Sequence, residues 1–228
     1  MKKILATLLA TCSFVAFADT FQDFNNNLYA QYNYSNYHQN GTENNNIYSN
    51  GYGIGGTFQS KDNVWLNAGA SSNSPRYDGD ALPKFATTNI RAGYAFQFFG
   101  DDDNGFQIIP YASFSVMSFN SPLYEGANNS PSYTWGAGVQ PEYRFLSSFK
   151  ASLGLGLYGY SGDSTFAALN GGDNCGCNTI FAFNVNPEVQ YDIAKTVMLA
   201  VGYNFATPFN AQNSVSTNTV TAKVGYLF

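Results

Sequence analysis

The stretch TVTAKVGYLF, Thr219 to Phe228, decides how this chain is read. Val220, Ala222, Val224, Tyr226 and Phe228 alternate with Thr219, Thr221, Lys223, Gly225 and Leu227. A period of two puts these sets on opposite faces of a β-strand. The first face is apolar and closes on aromatic rings. The second is mostly small or polar.

The same period runs through the whole chain. The apolar phases are Leu28 to Tyr34, Tyr52 to Phe58, Val64 to Ala70, Ile90 to Phe98, Ile108 to Val116, Trp135 to Phe145, Ala151 to Leu157, Phe181 to Tyr191, Val197 to Phe205 and the terminal run. That makes ten strands, with eight or twelve as the alternatives if loops are drawn longer or shorter. Only 11% of the 228 residues are charged and 17% are aromatic, yet the mean hydropathy is -0.21. Uncharged Asn, Ser, Gln, Thr and Gly dilute the apolar residues. The net charge of -5 leaves no basic surface, which argues against a nucleic-acid partner.

The first residues have the form of an export signal. Lys2 and Lys3 precede the apolar run Ile4 to Phe17, and Ala16-Phe17-Ala18 is a small-x-small cleavage site. The chain is therefore expected to divide into a signal peptide, 1–18, and one barrel domain, 19–228. After Ala18 no apolar run reaches the length of a membrane helix. Strands of 9–11 residues still suffice to cross a bilayer.

Alternation alone also suits a soluble sandwich. Two features favour a membrane barrel. The polar phase is small and neutral, as in a confined interior. Aromatics crowd both ends of the apolar phase, with Phe58, Phe98, Phe145, Tyr191 and Phe228 beside short connections and Tyr32, Tyr34, Tyr52, Phe114, Trp135 and Phe181 toward long ones. Such a double girdle marks outer-membrane barrels. Short connections near 60–63, 100–105, 146–148 and 192–196 alternate with long ones near 38–47, 73–88, 118–132, 161–179 and 206–217. The expected fold is an all-β, closed antiparallel transmembrane barrel of about ten strands in the bacterial outer membrane.

The signal, the girdled strands and the closing Gly225-Tyr226-Leu227-Phe228 resemble the small outer-membrane barrels known as porin-family proteins or opacity-type surface antigens. The resemblance implies that Tyr226 and Phe228 form a C-terminal signal read by the barrel-assembly machinery. It also implies contact with outer-membrane lipid and lipopolysaccharide.

Few residues suggest chemistry. Arg91, Glu142, Arg144, Lys150, Glu188 and Lys223 fall in the inward phase, where isolated charges are costly and should pair into a network. Many inward glycines, among them Gly53, Gly55, Gly136 and Gly138, argue the other way, for an open lumen. Cys175 and Cys177 flank Gly176 in the longest connection and are a disulfide candidate, with thiolate metal binding as the rival. Gly100 to Gly105 is an acidic turn that lacks the EF-hand spacing. His38 is the lone histidine, with no catalytic motif around it. Asn73-Ser-Pro-Arg-Tyr-Asp-Gly79 recurs as Asn120-Ser-Pro-Leu-Tyr-Glu-Gly126, a strand-ending turn or an adhesive surface.

The expected function is a non-enzymatic barrel, without cofactor or metal, whose loops meet an extracellular ligand or host surface. It is expected to be a monomer, since a closed barrel has no free edge. The alternatives are a narrow channel for small solutes and a hydrolase or acyltransferase using His38.

Overall fold

The computed structural model of the chain describes residues 21–39, 47–101, 103–120, 131–161, 180–209 and 215–228. The expected signal peptide, Cys175, Cys177 and most of the second Asn-Ser-Pro motif lie outside these residues. The chain starts on one helical turn, α1 (Gln22–Asn25). The strands follow in order: β1 (Asn27–Gln39), β2 (Ile47–Gln59), β3 (Val64–Tyr77), β4 (Asp80–Ala81), β5 (Phe85–Tyr94) and β6 (Phe96–Gly100). Next come β7 (Asn104–Phe119), β8 (Ser132–Phe145), β9 (Phe149–Ser161), β10 (Ile180–Ile193), β11 (Val197–Pro208) and β12 (Val215–Leu227).

Every neighbouring pair is antiparallel, and β12 pairs back onto β1 from Asn27 opposite Leu227 to Gln39 opposite Val215. The sheet is closed. β5 and β6 are one wall strand interrupted at Ala95, and β4 is a short return beside β3, so the wall has ten strands. At the interruption Ala95 turns inward onto Trp65, Ile109 and Tyr111. A register shift between Gln97 and Phe99 then lets both Phe98 and Phe99 face outward.

Alternation in the sequence becomes inside and outside in the wall. Ile54, Val201 and Phe228 are 69%, 62% and 61% exposed on the outer face. A water-soluble sheet would bury such a surface. Rings bound it at the short-turn end: Phe98 meets Phe106, Phe106 meets Phe99, and Phe99 leads through Tyr143, Phe145 and Phe149 to Tyr191 at centroid spacings of 4.6 to 6.5 Å. At the other end stand Tyr32 against Tyr52, Phe114 against Tyr133 and Trp135 against Phe181. Beyond them the outer face becomes polar, and Tyr32 Oη donates to Asn50 Oδ1 at 2.6 Å. Along β10, Tyr191 to Phe181 spans roughly 33 Å of strand, or about 25 Å along the barrel axis at a tilt near 40°. That matches the apolar band of a transmembrane barrel.

The short connections use backbone suited to tight reversal. Ala194 and Lys195 both have positive φ, 51° and 55°, and Thr196 N donates to Ile193 O at 3.1 Å, a two-residue turn of the twist that hairpins favour. The Asn73 motif does not end its strand where Pro75 stands. β3 continues to Tyr77, and Asp78 and Gly79, with φ of 48° and 92°, make the turn. Pro75 still takes part, because its carbonyl accepts from Leu82 N at 3.0 Å.

Candidate functional site in the barrel lumen

The core of this molecule is the space inside the wall, and α1 fills its short-turn mouth. Phe21, Phe24 and Asn25 are all buried there. Gln59 N donates to Asn26 Oδ1 at 2.8 Å, Gln190 Nε2 to Phe24 O at 3.1 Å and Phe228 N to Asn26 O at 3.0 Å. The turn is thereby tied to β2, β10 and the end of the chain. Arg144 lies over the Phe24 ring, 5.2 Å from its centroid.

Asn25 projects from α1 into a polar hub. Its Nδ2 donates to Gln59 Oε1 at 2.7 Å and to Glu142 Oε2 at 3.0 Å, and its Oδ1 accepts from Lys150 Nζ at 2.5 Å. Glu142 also accepts from Gln107 Nε2 at 2.6 Å and Gln140 Nε2 at 2.8 Å, with Lys150 Nζ at 3.5 Å. A buried carboxylate is tolerable only with its lone pairs filled, and this one meets four donors.

A second pair lies across the lumen. Lys223 Nζ is 2.6 Å from Glu188 Oε2 and 4.7 Å from the centroid of the Tyr29 ring. Glu188 is on β10 and Lys223 on β12, so the pair bridges over β11. It does so at Gly202, where an added Cβ would stand 3.2 Å from Glu188 Oε2.

Of the six expected lumen charges, the structure brings Glu142 together with Lys150 and Glu188 together with Lys223. Arg144 sits beside α1. Arg91 forms no ion pair among the described residues and lies 5.5 Å from the Tyr111 centroid. The inward glycines do not leave open space. A Cβ on Gly55 would stand 2.6 Å from Tyr29 Oη, one on Gly138 2.6 Å from Tyr111 Oη, and one on Gly136 2.6 Å from Tyr158 Cδ1. Tyrosines from neighbouring strands lie over the glycines, and Tyr111 and Tyr158 join hydroxyls at 3.0 Å. With Trp65 packed on Tyr111 at 6.2 Å, they make a belt above the hub. Between hub and belt remains a polar cavity of about 60 Å³, lined by Arg91, Lys150, Glu188 and Lys223 among others.

No protein-family model matches the sequence. No curated protein matches it either. Solved structures do match in shape. The transport unit of the autotransporter AIDA-I from Escherichia coli aligns with a TM-score of 0.55 at 11% identity, over 98% of this chain and 97% of that one. The beta domain of the Bordetella autotransporter Brka aligns with a TM-score of 0.51 at 10% identity, over 89% of this chain and 99% of that one. This chain has the fold of an outer-membrane β-barrel.

The remaining candidates lie around this barrel's rim. His38 is exposed on the outer face of β1, opposite Ser216 in the pairing with β12. Among the described residues no hydrogen bond joins it to a carboxylate or hydroxyl. Tyr226 and Phe228 point outward at the barrel's short-turn end. Asp101, in the acidic turn, accepts from Asn104 N at 2.6 Å and Asp103 N at 2.9 Å. Those backbone donors hold its carboxyl below the usual range.

Sequence reasoning found the hub's charges but missed its centre. Asn25, Gln59, Gln107 and Gln190 carry no formal charge and belong to no motif. A faint signal existed: three inward glutamines stand near short-turn ends, next to the polar segment Phe21 to Asn27.

Proposed function

We propose that this protein is a closed, non-enzymatic barrel of the bacterial outer membrane that anchors its long connections on the cell surface. The observation that supports this reading is the closure of the lumen by α1, sealed through Asn25 onto Glu142 and Lys150. A channel needs a continuous hydrated path, whereas this interior is occupied by a helical turn, two ion pairs and a tyrosine belt. The barrel then serves as a rigid support. The connections around 40–46, 121–130 and 162–179 carry contact with an extracellular ligand, a host surface or lipopolysaccharide. On this reading the signal peptide is removed after Ala18, and both ends of the barrel domain face the periplasm. The long connections then face outward.

Planar-bilayer conductance of residues 19–228, refolded from inclusion bodies, tests the closed lumen. Silence is expected. Reproducible steps that change on Lys223→Ala would replace this reading with a narrow channel. An epitope placed between residues 162 and 179 tests orientation. It should be reached by antibody on intact cells, and labelling only after lysis would overturn surface display.

A further inference from the structure

We infer that the lumen holds a small monovalent anion, of chloride or bromide size, between Arg91 and the indole N–H of Trp65. The inference starts from charge. The 60 Å³ cavity is lined by three cations, Arg91, Lys150 and Lys223, and by two carboxylates, Glu142 and Glu188. Each carboxylate already has a lysine, Glu142 with Lys150 at 3.5 Å and Glu188 with Lys223 at 2.6 Å. Arg91 is the cation left over: it lies against an aromatic face, forms no ion pair among the described residues, and shares the field of Glu188 with Lys223, which already holds that carboxylate. Three cations against two carboxylates leave the enclosed space one positive charge in excess, which a low-dielectric interior disfavours.

The second observation is independent of charge. Trp65 is 2% exposed, lines the same cavity, and its Nε1 is buried without an acceptor among the described residues. A buried indole N–H normally finds a partner, and leaving it without one is costly. The two donors are neighbours by register. On the paired strands β3 and β5, Asn67 stands opposite Arg91 and Trp65 opposite Gly93, so Trp65 and Arg91 are diagonal on the inward face. Both rest on the Tyr111 ring, at 6.2 and 5.5 Å. The nearby amide of Asn67 is already committed to Gly56 O and Thr57 Oγ1. One N–H donor and one guanidinium converging on a small polar space suit an anion better than water, which would satisfy the indole and leave the charge. The cavity is large enough for one such ion with a water or two, and too small for a sugar or a nucleotide. The site does not depend on whether the barrel conducts.

Trp65 reports on its own site. The chain has two tryptophans, so Trp135→Phe leaves Trp65 alone. Trp135 lies on the outer face, and its loss leaves the lumen unchanged. This variant, refolded in detergent in the presence of iodide so that entry is not limiting, should show saturable quenching of Trp65. Chloride should relieve it. Adding Arg91→Gln should weaken the saturable component about tenfold or more, the worth of one charge-assisted hydrogen bond. Should Arg91→Gln not fold, Arg91→Lys keeps the charge, loses the planar fork and should still weaken saturation. Absent quenching, quenching that rises linearly without saturation, or saturation that ignores both Arg91 changes would each overturn the inference and leave a cavity holding water alone.

Discussion

Lys150 and Asn25 stand 125 positions apart in sequence, yet Lys150 Nζ donates to Asn25 Oδ1 at 2.5 Å inside the barrel mouth. This contact joins the segment before the first strand to the middle of the wall. It turns α1 from a leader into a seal.

Asn25→Ala should therefore cost more than an average loop substitution. It leaves Gln59, Glu142 and Lys150 each one hydrogen-bond partner short inside the lumen, and each buried loss is worth about 1–3 kcal/mol. Urea unfolding of the refolded barrel should show a lower midpoint with an unchanged slope. A midpoint equal to the parent would mean that α1 does not hold the mouth.

The Glu188–Lys223 pair makes a sharper prediction. Both side chains are largely enclosed, so Lys223→Met alone strands a carboxylate and should destabilise by about 2 kcal/mol or more. Combining it with Glu188→Gln should recover most of the loss. Gly202→Val should behave like a broken pair, since its side chain enters the space of Glu188 Oε2. Purely additive effects in the double variant would show that the two groups act independently.

Gly138 and Tyr111 face each other on β8 and β7. Gly138→Ala should cost about 1–3 kcal/mol, because the added Cβ would stand 2.4 Å from the Leu155 carbonyl oxygen and 2.6 Å from Tyr111 Oη. In a Tyr111→Ala background the same change should lose only the share of its cost that the ring contributes, because the Leu155 carbonyl oxygen still stands 2.4 Å from the added Cβ. Equal costs in both backgrounds would place the strain elsewhere.

Asp101 supplies a pH signature. Its folded-state carboxyl titrates below the usual value of about 3.9, because the N–H groups of Asn104 and Asp103 favour the carboxylate. A depressed folded value contributes stability that is fully present above the unfolded value and disappears as pH falls through the folded one. Asp101→Ala should thus unfold faster than the parent at neutral pH and match it in strong acid. A gap that persists in strong acid would point to a cause other than the charge.

Phe228 separates folding from assembly. Its backbone N–H holds Asn26 O at 3.0 Å, while its side chain points outward and touches nothing in the lumen. Phe228→Ala should refold in detergent as the parent does and yet accumulate poorly in the outer membrane of expressing cells. Normal accumulation would remove its proposed role as an assembly signal.

The wall was legible because its code is local. Side-chain period, ring placement and turn residues each act within a few positions of the chain, so ten strands and their facing could be read from Leu28 to Phe228. Even the interruption at Ala95 keeps the phase that alternation predicts, with Tyr94 and Phe96 outward on either side. The inward phase also showed which charges enter the lumen. Their partners were hidden, because Glu188 reaches Lys223 across an intervening strand and Glu142 meets a side chain from before the barrel. Those distances depend on closure and strand tilt, which no window of sequence contains.

Strands with one apolar and one polar face, bounded by aromatic rings at membrane spacing, follow from the order of amino acids along the chain. A backbone in lipid must satisfy its own hydrogen bonds, and that requirement turns such strands into a closed barrel. What the enclosed space holds follows from the closed fold. The inward glycines that suggest an opening in the sequence are the seats of Tyr29, Tyr111 and Tyr158, and a helical turn with no apolar period of its own closes the mouth. Both outcomes depend on which side chains converge once β12 meets β1, and convergence is a property of the closed surface and not of any strand in it.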